Sequence, residues 1–260
     1  MNDETIIIHV FVCIDDIIRK LAVDRHPGPI GRMSLSEILT VMTLCPLLKT
    51  GVPLKQYYRW FCVNWSHLFP GLVEYSRFTR LIDQAQEFLV VVQQKLANMG
   101  CFGLVADGTS LPVMHVKRGP FAKSFRQARK VYCASKNEWS WGFLLELVLD
   151  QAGQIALFSM SVEAEIRQLV QILEDLKDRW VMADKGNRGR EIHETLWLEK
   201  QIRIKITQSK ERTWIENVIG ILKNRLGLDR IRVRKQSSLM ARVKAVFCAY
   251  NIASTLNLPI

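Results

Sequence analysis

The chain has no long apolar run. Its longest uncharged apolar stretch, residues 38–48, is too short to cross a bilayer and has the composition of a buried helix. A secretory signal is not expected either. Asp3 and Glu4 stand where positive charge would be, and no small-residue cleavage site follows, so the protein is expected to remain in the compartment where it is made. The six cysteines, at positions 13, 45, 62, 101, 133 and 248, show no metal-site spacing, and the five histidines are scattered. They read as reduced, mostly buried thiols, and a zinc site is not expected. No glycine-rich phosphate loop is present, which leaves nucleotide-driven activity without support. Internal repeats and low-complexity segments are missing too.

Acidic charge is also in short supply: 36 Lys and Arg face 25 Asp and Glu, a net charge of +11 with a pI near 9.5. The excess is uneven. Residues 1–100 hold 10 basic against 9 acidic side chains, and residues 101–260 hold 26 against 16. Such a basic half suits a polyanionic partner, DNA or RNA first, because phosphate contacts gain from counterion release. A basic protein without such a partner is the plain alternative. With 48% hydrophobic residues in 260, a real core is expected, in one large domain or two modest ones.

Residues 1–100 read as helices. Residues 6–21 are apolar with interspersed charge, Ser34 and Glu37 form a capping box ahead of residues 38–48, and residues 76–97 carry a helical apolar stripe. At Gly100 the texture changes. Short apolar runs at 102–106, 143–149, 155–160, 180–183 and 202–206 read as strands, the second and third as a hairpin. Residues 163–177, 190–200, 212–226 and 238–256 read as helices. The expected order is β, β, β, α, β, α, β, α, α, an α/β domain with a mixed sheet over residues 101–260 preceded by an all-helical region over 1–100.

Asp107 and Asp184 each follow a short apolar run and precede a glycine within two residues. An Asp at a strand end faces the crevice where open α/β sheets bind ligands. In the helix from Arg212, the 3.6-residue period gathers Arg212, Glu216 and Lys223 on one face, away from Trp214, Val218, Leu222 and Leu226. Three carboxylates from separate elements make a site for hard divalent cations, Mg²⁺ or Mn²⁺. Two such ions about 3.5–4 Å apart serve phosphodiester cleavage. Each feature also has an ordinary reading: Asp-Gly as a turn, Arg212–Glu216 as a helix pair, Lys223 as a solvated charge.

These residues carry a resemblance. Asp107-Gly108-Thr109-Ser110-Leu111-Pro112-Val113, then Val181-Met182-Ala183-Asp184-Lys185-Gly186, then Arg212-Thr213-Trp214-Ile215-Glu216 with Lys223, resemble in order the three acidic motifs of bacterial insertion-sequence DDE transposases, closest to the nine-eight-two family. The helical start fits as well, at Ile17–Arg19, Leu35-Ser36-Glu37-Ile38 and Tyr75-Ser76-Arg77-Phe78. The resemblance implies an RNase H-like catalytic fold and two Mg²⁺ (or Mn²⁺) ions on Asp107, Asp184 and Glu216. It implies cleavage at terminal inverted repeats, strand transfer into target DNA, Arg212 and Lys223 close to the cut, and a homo-oligomer on DNA. A bacterial cytoplasmic, nucleoid-associated location follows from it. The chain departs from the family at Asn187 and Ser209, where tyrosines are usual, and at Leu144 and Glu146, where Lys and His are usual. Only 31 residues separate Asp184 from Glu216, fewer than the family carries, and residues 208–210 look like the join of a deletion. A catalytically inactive remnant that only binds DNA is therefore the alternative, and a plain RNase H-like nuclease a third.

Three basic segments are candidates for DNA contact: Lys117, Arg118, Lys123, Arg126, Arg129 and Lys130; Lys185, Arg188 and Arg190; and Arg230, Arg232, Arg234 and Lys235. The last set alternates, which suits a backbone groove or an edge strand. Trp139 and Trp141 read as packing, His115 as structural, and Glu163 and Glu165 as acids suited to a helix start. The N-terminal helices read as either end-binding or dimerising, their near-neutral charge weighing against DNA reading.

Overall fold

A computed structural model describes residues 1–21, 31–133, 137–206 and 210–259, with the backbone alone for Lys185 and residues 210–212. The chain divides into two compact units, Met1–Leu96 with Leu222–Ile260, and Ala97–Ile221.

The first unit is helical: α1 (Asp3–Lys20), α2 (Leu35–Leu48), α3 (Leu54–Trp65), α4 (Tyr75–Leu96) and α8 (Gln236–Thr255). The expected capping box starts α2. Ser34 N donates to Glu37 Oε2 at 2.6 Å, and Glu37 N donates to Ser34 Oγ at 3.2 Å. Ser36 and residues 38–46 are buried, so α2 is the central helix, and α1, α4 and α8 pack around it. Tyr58 stacks on Phe78 with ring centroids 4.2 Å apart, and Tyr57 OH donates to the Val41 carbonyl at 2.9 Å. The C-terminal helix α8 thus packs with α2 and α4 rather than on the sheet.

The second unit is built on a six-stranded sheet: β1 (Gly103–His115), β2 (Arg129–Cys133), β3 (Glu138–Leu149), β4 (Ile155–Ser161), β5 (Arg179–Ala183) and β6 (Ile202–Ile206). Helices α5 (Glu165–Ile172), α6 (Arg190–Lys200) and α7 (Lys210–Asn224) follow β4, β5 and β6, and α7 runs across the boundary between the units. The order is β4-β3-β1-β5-β6, antiparallel among the first three and parallel from β1 to β6. This is the RNase H-like arrangement. Leu104, Ala106, Val148, Val181 and Ala183 pack on one face with Leu169, Leu173 and Leu196.

Three elements differ from expectation. The first strand does not stop at Ala106 but runs on to His115, because antiparallel pairing with β3 continues to Ser140 with a register shift after Pro112. A proline without an N–H suits such an irregularity. An unexpected strand, β2, pairs with Glu138–Gly142 on the edge of β3 that β4 occupies further along. Charged residues at its first two positions hide its apolar alternation, Val131 and Cys133 facing in. Finally, α5 covers 165–172 rather than 163–177: Glu163 N is held by Ser161 Oγ at 3.0 Å, and Asp178 sits at φ +54°.

Candidate active site

The parallel pair β1/β5 is in register from Gly103↔Trp180 to Val105↔Met182. Asp107 and Asp184 each lie two residues beyond that last pair. Asp107 is therefore not at a strand end, as the sequence suggests, but at the point where β1 loses its β5 neighbour while keeping β3 on its other side. The two carboxylates stand where the sheet opens. Asp107 is 7% exposed, and its Oδ1 accepts from Gly108 N at 3.0 Å. Asp184 caps a 3-10 turn, Lys185–Asn187, its Oδ1 accepting from Gly186 N at 2.6 Å.

Two more carboxylates come to this place. Gly108 is paired with Glu146 across β1 and β3. A β-carbon on Gly108 would stand 2.7 Å from Glu165 Oε1 and 2.9 Å from Glu146 Oε2. One on Gly186 would overlap Glu165 Oε2 and lie 3.0 Å from Asp184 Oδ1. The two glycines thus leave a cradle into which Glu146, Glu165 and Asp184 project. Glu146 is fully buried. Asn187 Nδ2 donates to its Oε1 at 3.4 Å, while Glu146 Oε2 and Asn187 Oδ1 have no hydrogen-bond partner. Burial, then the charges of Glu165 and Asp107, and more weakly Asp184, push the Glu146 carboxyl up from 4.5 to about 9; the Asn187 hydrogen bond opposes them. The Asn187 backbone is fixed in turn by His193, whose Nε2 lies 2.8 Å from the Asn187 carbonyl oxygen.

A family model described as transposase DDE domain matches residues 103–252. The chain belongs to the DDE transposase family. No curated protein and no solved structure gives a significant match. The match runs from the first residue of β1 into α8, and so takes in the whole sheet and all three acidic motifs.

DDE transposases work with divalent metal ions, and the residues here fit such ions by donor chemistry. Hard cations take carboxylate oxygens, a glycine-lined cradle holds several, and one buried oxygen among them lacks a partner. The donors are gathered but not closed. Among the described residues, no three His, Cys, Asp or Glu side chains are already disposed to hold a metal ion.

Glu216 lies on α7 and is exposed, with Ile215, Val218, Ile219 and Leu222 buried on the helix's other side. Half-buried Lys223 follows seven residues on, which returns it to the Glu216 face. The side chains of Arg212 and Lys185 lie outside the described residues, as do residues 207–209 with most of the suspected join.

Lys117, Arg118, Lys123, Arg126, Arg129 and Lys130 are all exposed, the first two on a 3-10 turn, Val116–Phe121, and the last two on β2. Trp141 packs over Gly119, but Trp139 is 51% exposed, with Lys130 Nζ 4.6 Å from its ring centroid and Tyr132 beside it. Packing is thus the wrong description of Trp139. Two residues from Trp141 on an edge-paired strand, it stands outside the core. Arg188 is exposed before α6, and Arg190 opens it. Exposed Arg230, Arg232, Arg234 and Lys235 lie on a 3-10 turn and an irregular segment, not on an edge strand. They belong to the helical unit. By the unit boundaries that unit holds 18 Lys and Arg against 10 Asp and Glu, and the sheet unit 18 against 15. Most of the positive excess therefore sits with the helices. Lys55, Arg232, Arg234, Lys235 and Arg242 line a cavity of about 320 Å³ there. No helix among the described residues is long and apolar enough to cross a membrane.

Proposed function

We propose that the chain cleaves DNA at the ends of an insertion sequence and joins the freed ends to target DNA. The observation that carries this reading is the register of β1 and β5. Asp107 and Asp184 each follow its last parallel pair by two residues, in an RNase H-like sheet of a member of the DDE transposase family, which supports their acting together. Asp107 and Asp184, with Glu216 from α7, would hold two Mg²⁺ or Mn²⁺ ions. When bound, such ions activate the attacking oxygen and stabilise the leaving one. In the first step the oxygen of water bonds to phosphorus, the P–O3′ bond breaks, and the 3′ oxygen takes a proton. In the second, that 3′-hydroxyl displaces a 3′ oxygen of target DNA. Arg212 and Lys223 flank Glu216 and would meet the phosphates near the cut.

The wider DNA would lie on the basic segments, Lys117 to Lys130, Lys185 to Arg190, and Arg230 to Lys235. The charge of the helical unit favours end-binding over a purely dimerising role. We expect a homo-oligomer on paired inverted repeats, acting on DNA in the bacterial cytoplasm.

The test is nicking of supercoiled plasmid carrying candidate ends, with Mg²⁺ or Mn²⁺, by this chain and by Glu216→Gln. Metal-dependent nicking that the substitution abolishes supports the active site, and joined products separate transposase from nuclease. A second reading, a DNA-binding remnant, is favoured by the short stretch before Glu216. DNA binding without any cutting would establish it.

A further inference from the structure

We propose that Glu146 and Glu165 are ligands of the divalent-cation site, so that the cation sits in a cradle formed by Gly108 and Gly186 and is held by carboxylates from β1, β3, the turn after β5, and α5. This rests on the reading of Asp107 and Asp184 as metal-binding, and it extends the ligand set to two residues outside the three acidic motifs.

Four observations support it. Glu165 reaches both glycine positions, with Oε1 toward Gly108 and Oε2 toward Gly186, and thus spans the gap between the Asp107 and Asp184 segments. Glu146 Oε2 and Glu165 Oε1 both lie within 3.0 Å of where a Gly108 β-carbon would be, and both glycines lack the atom that would fill this space. A fully buried carboxylate oxygen without a hydrogen bond is costly, and a ligand that completes it offsets that cost. Glu146 Oε2 is such an atom, and the amide oxygen of Asn187, which touches Glu146, also lacks a partner; both residues are 0% exposed. A solvent-fixing or packing role would not call for an acid at that depth. A bound cation supplies what Glu146 Oε2 lacks.

Glu146 and Asn187 are in hydrogen-bonding contact, Asn187 Nδ2 donating to Glu146 Oε1. A basic residue at 146 would put positive charge under the cradle. Glutamate puts an oxygen donor there, and Asn187 holds it by Oε1 and leaves Oε2 for the cation.

The experiment is Mn²⁺ binding to the full chain without DNA, read as loss of the free-ion electron paramagnetic resonance signal. The variants are Glu146→Gln, Glu165→Gln, Asp184→Asn, Gly108→Ala and, as a control, Glu163→Gln, whose exposed carboxylate touches Gln171 instead. Circular dichroism melts in chelator check that each variant is folded. Gly108→Ala removes no carboxylate but puts a β-carbon where the Glu165 and Glu146 oxygens now project, and so displaces them. We expect Glu146→Gln, Glu165→Gln and Gly108→Ala to weaken Mn²⁺ binding at least about tenfold, the size seen when supporting ligands are removed, with Glu163→Gln unchanged. Weakened binding in Asp184→Asn alone, with folded Glu146→Gln and Glu165→Gln binding as the parent does, overturns this inference and leaves the proposed function standing. No Mn²⁺ binding by the parent chain overturns it as well, and the plasmid assay then decides the proposed function separately.

Discussion

Replacing Glu146 by glutamine in the metal-free protein should raise stability, and by an amount that depends on pH. Glu146 is fully buried, and its carboxyl is pushed from 4.5 up to about 9, first by burial and then by Glu165 and Asp107. Between those two values the folded state holds a proton that the unfolded state has released. Unfolding therefore becomes easier as pH rises through that window, by about 1.4 kcal/mol per pH unit for one proton. Glutamine keeps the shape and the contact with Asn187 but has no proton to lose, so this part of the pH dependence vanishes. The two proteins should be nearly equal near pH 5 and diverge steadily toward pH 8, with the variant the more stable. Urea unfolding in chelator, followed by tryptophan fluorescence at pH 5, 6, 7 and 8, measures this. Trp139, Trp141, Trp180, Trp197 and Trp214 all belong to the sheet unit and report on it. A constant difference across pH, or a variant less stable than the parent at pH 8, would refute the account of Glu146 as a buried acid held neutral by its neighbours.

Further outcomes are expected elsewhere. Replacing Arg232, Arg234 and Lys235 together by alanine should weaken DNA binding and flatten its salt dependence, by about 0.9 in the log–log slope for each phosphate no longer neutralised; an unchanged slope would remove this segment from the DNA surface. Ser34→Ala breaks the capping box that starts the central helix and should cost about 1 kcal/mol in thermal or urea unfolding, whereas a change below a few tenths would mean that burial of α2 alone fixes its start.

Much of the architecture was legible because periodicity and end signals agree. The capping box of Ser34 and Glu37, the hairpin around Asp150 and the apolar runs of β5 and β6 stand where their residues place them. What the sequence concealed depends on pairing between distant segments. β1 runs past Asp107 because β3 supplies partners as far as Ser140, and nothing local announces that. β2 carries too much charge to look like a strand. The packing of α8 with α2 and α4 goes with a helix buried on every side from Ala241 to Ala253, charged Arg242 and Lys244 included, which its residue types do not announce. Charge was assigned to the wrong neighbourhood for the same reason. The Arg230–Lys235 segment follows the catalytic motifs in sequence but belongs to the helical unit, which turns that unit from near-neutral to clearly basic.

At the site, the spacing of strand and acid pointed to Asp107 and Asp184, but not to the reason they meet. That reason is a register, two residues past the last parallel pair on each strand, and register is invisible in one segment alone. Glu165 was hidden by a sound local rule, since an acid at a helix start ordinarily serves the helix dipole. Its oxygens instead reach the two glycines, and only the folded chain shows that those glycines face the same space. Glu146 and Asn187 lie far apart in sequence, and only folding brings them into contact. Glu146 Oε2 is left without a hydrogen bond, and it projects to the same glycine position as Glu165. A buried arrangement of this kind costs stability unless something binds to it. That cost is the physical ground for treating the pair as part of a site.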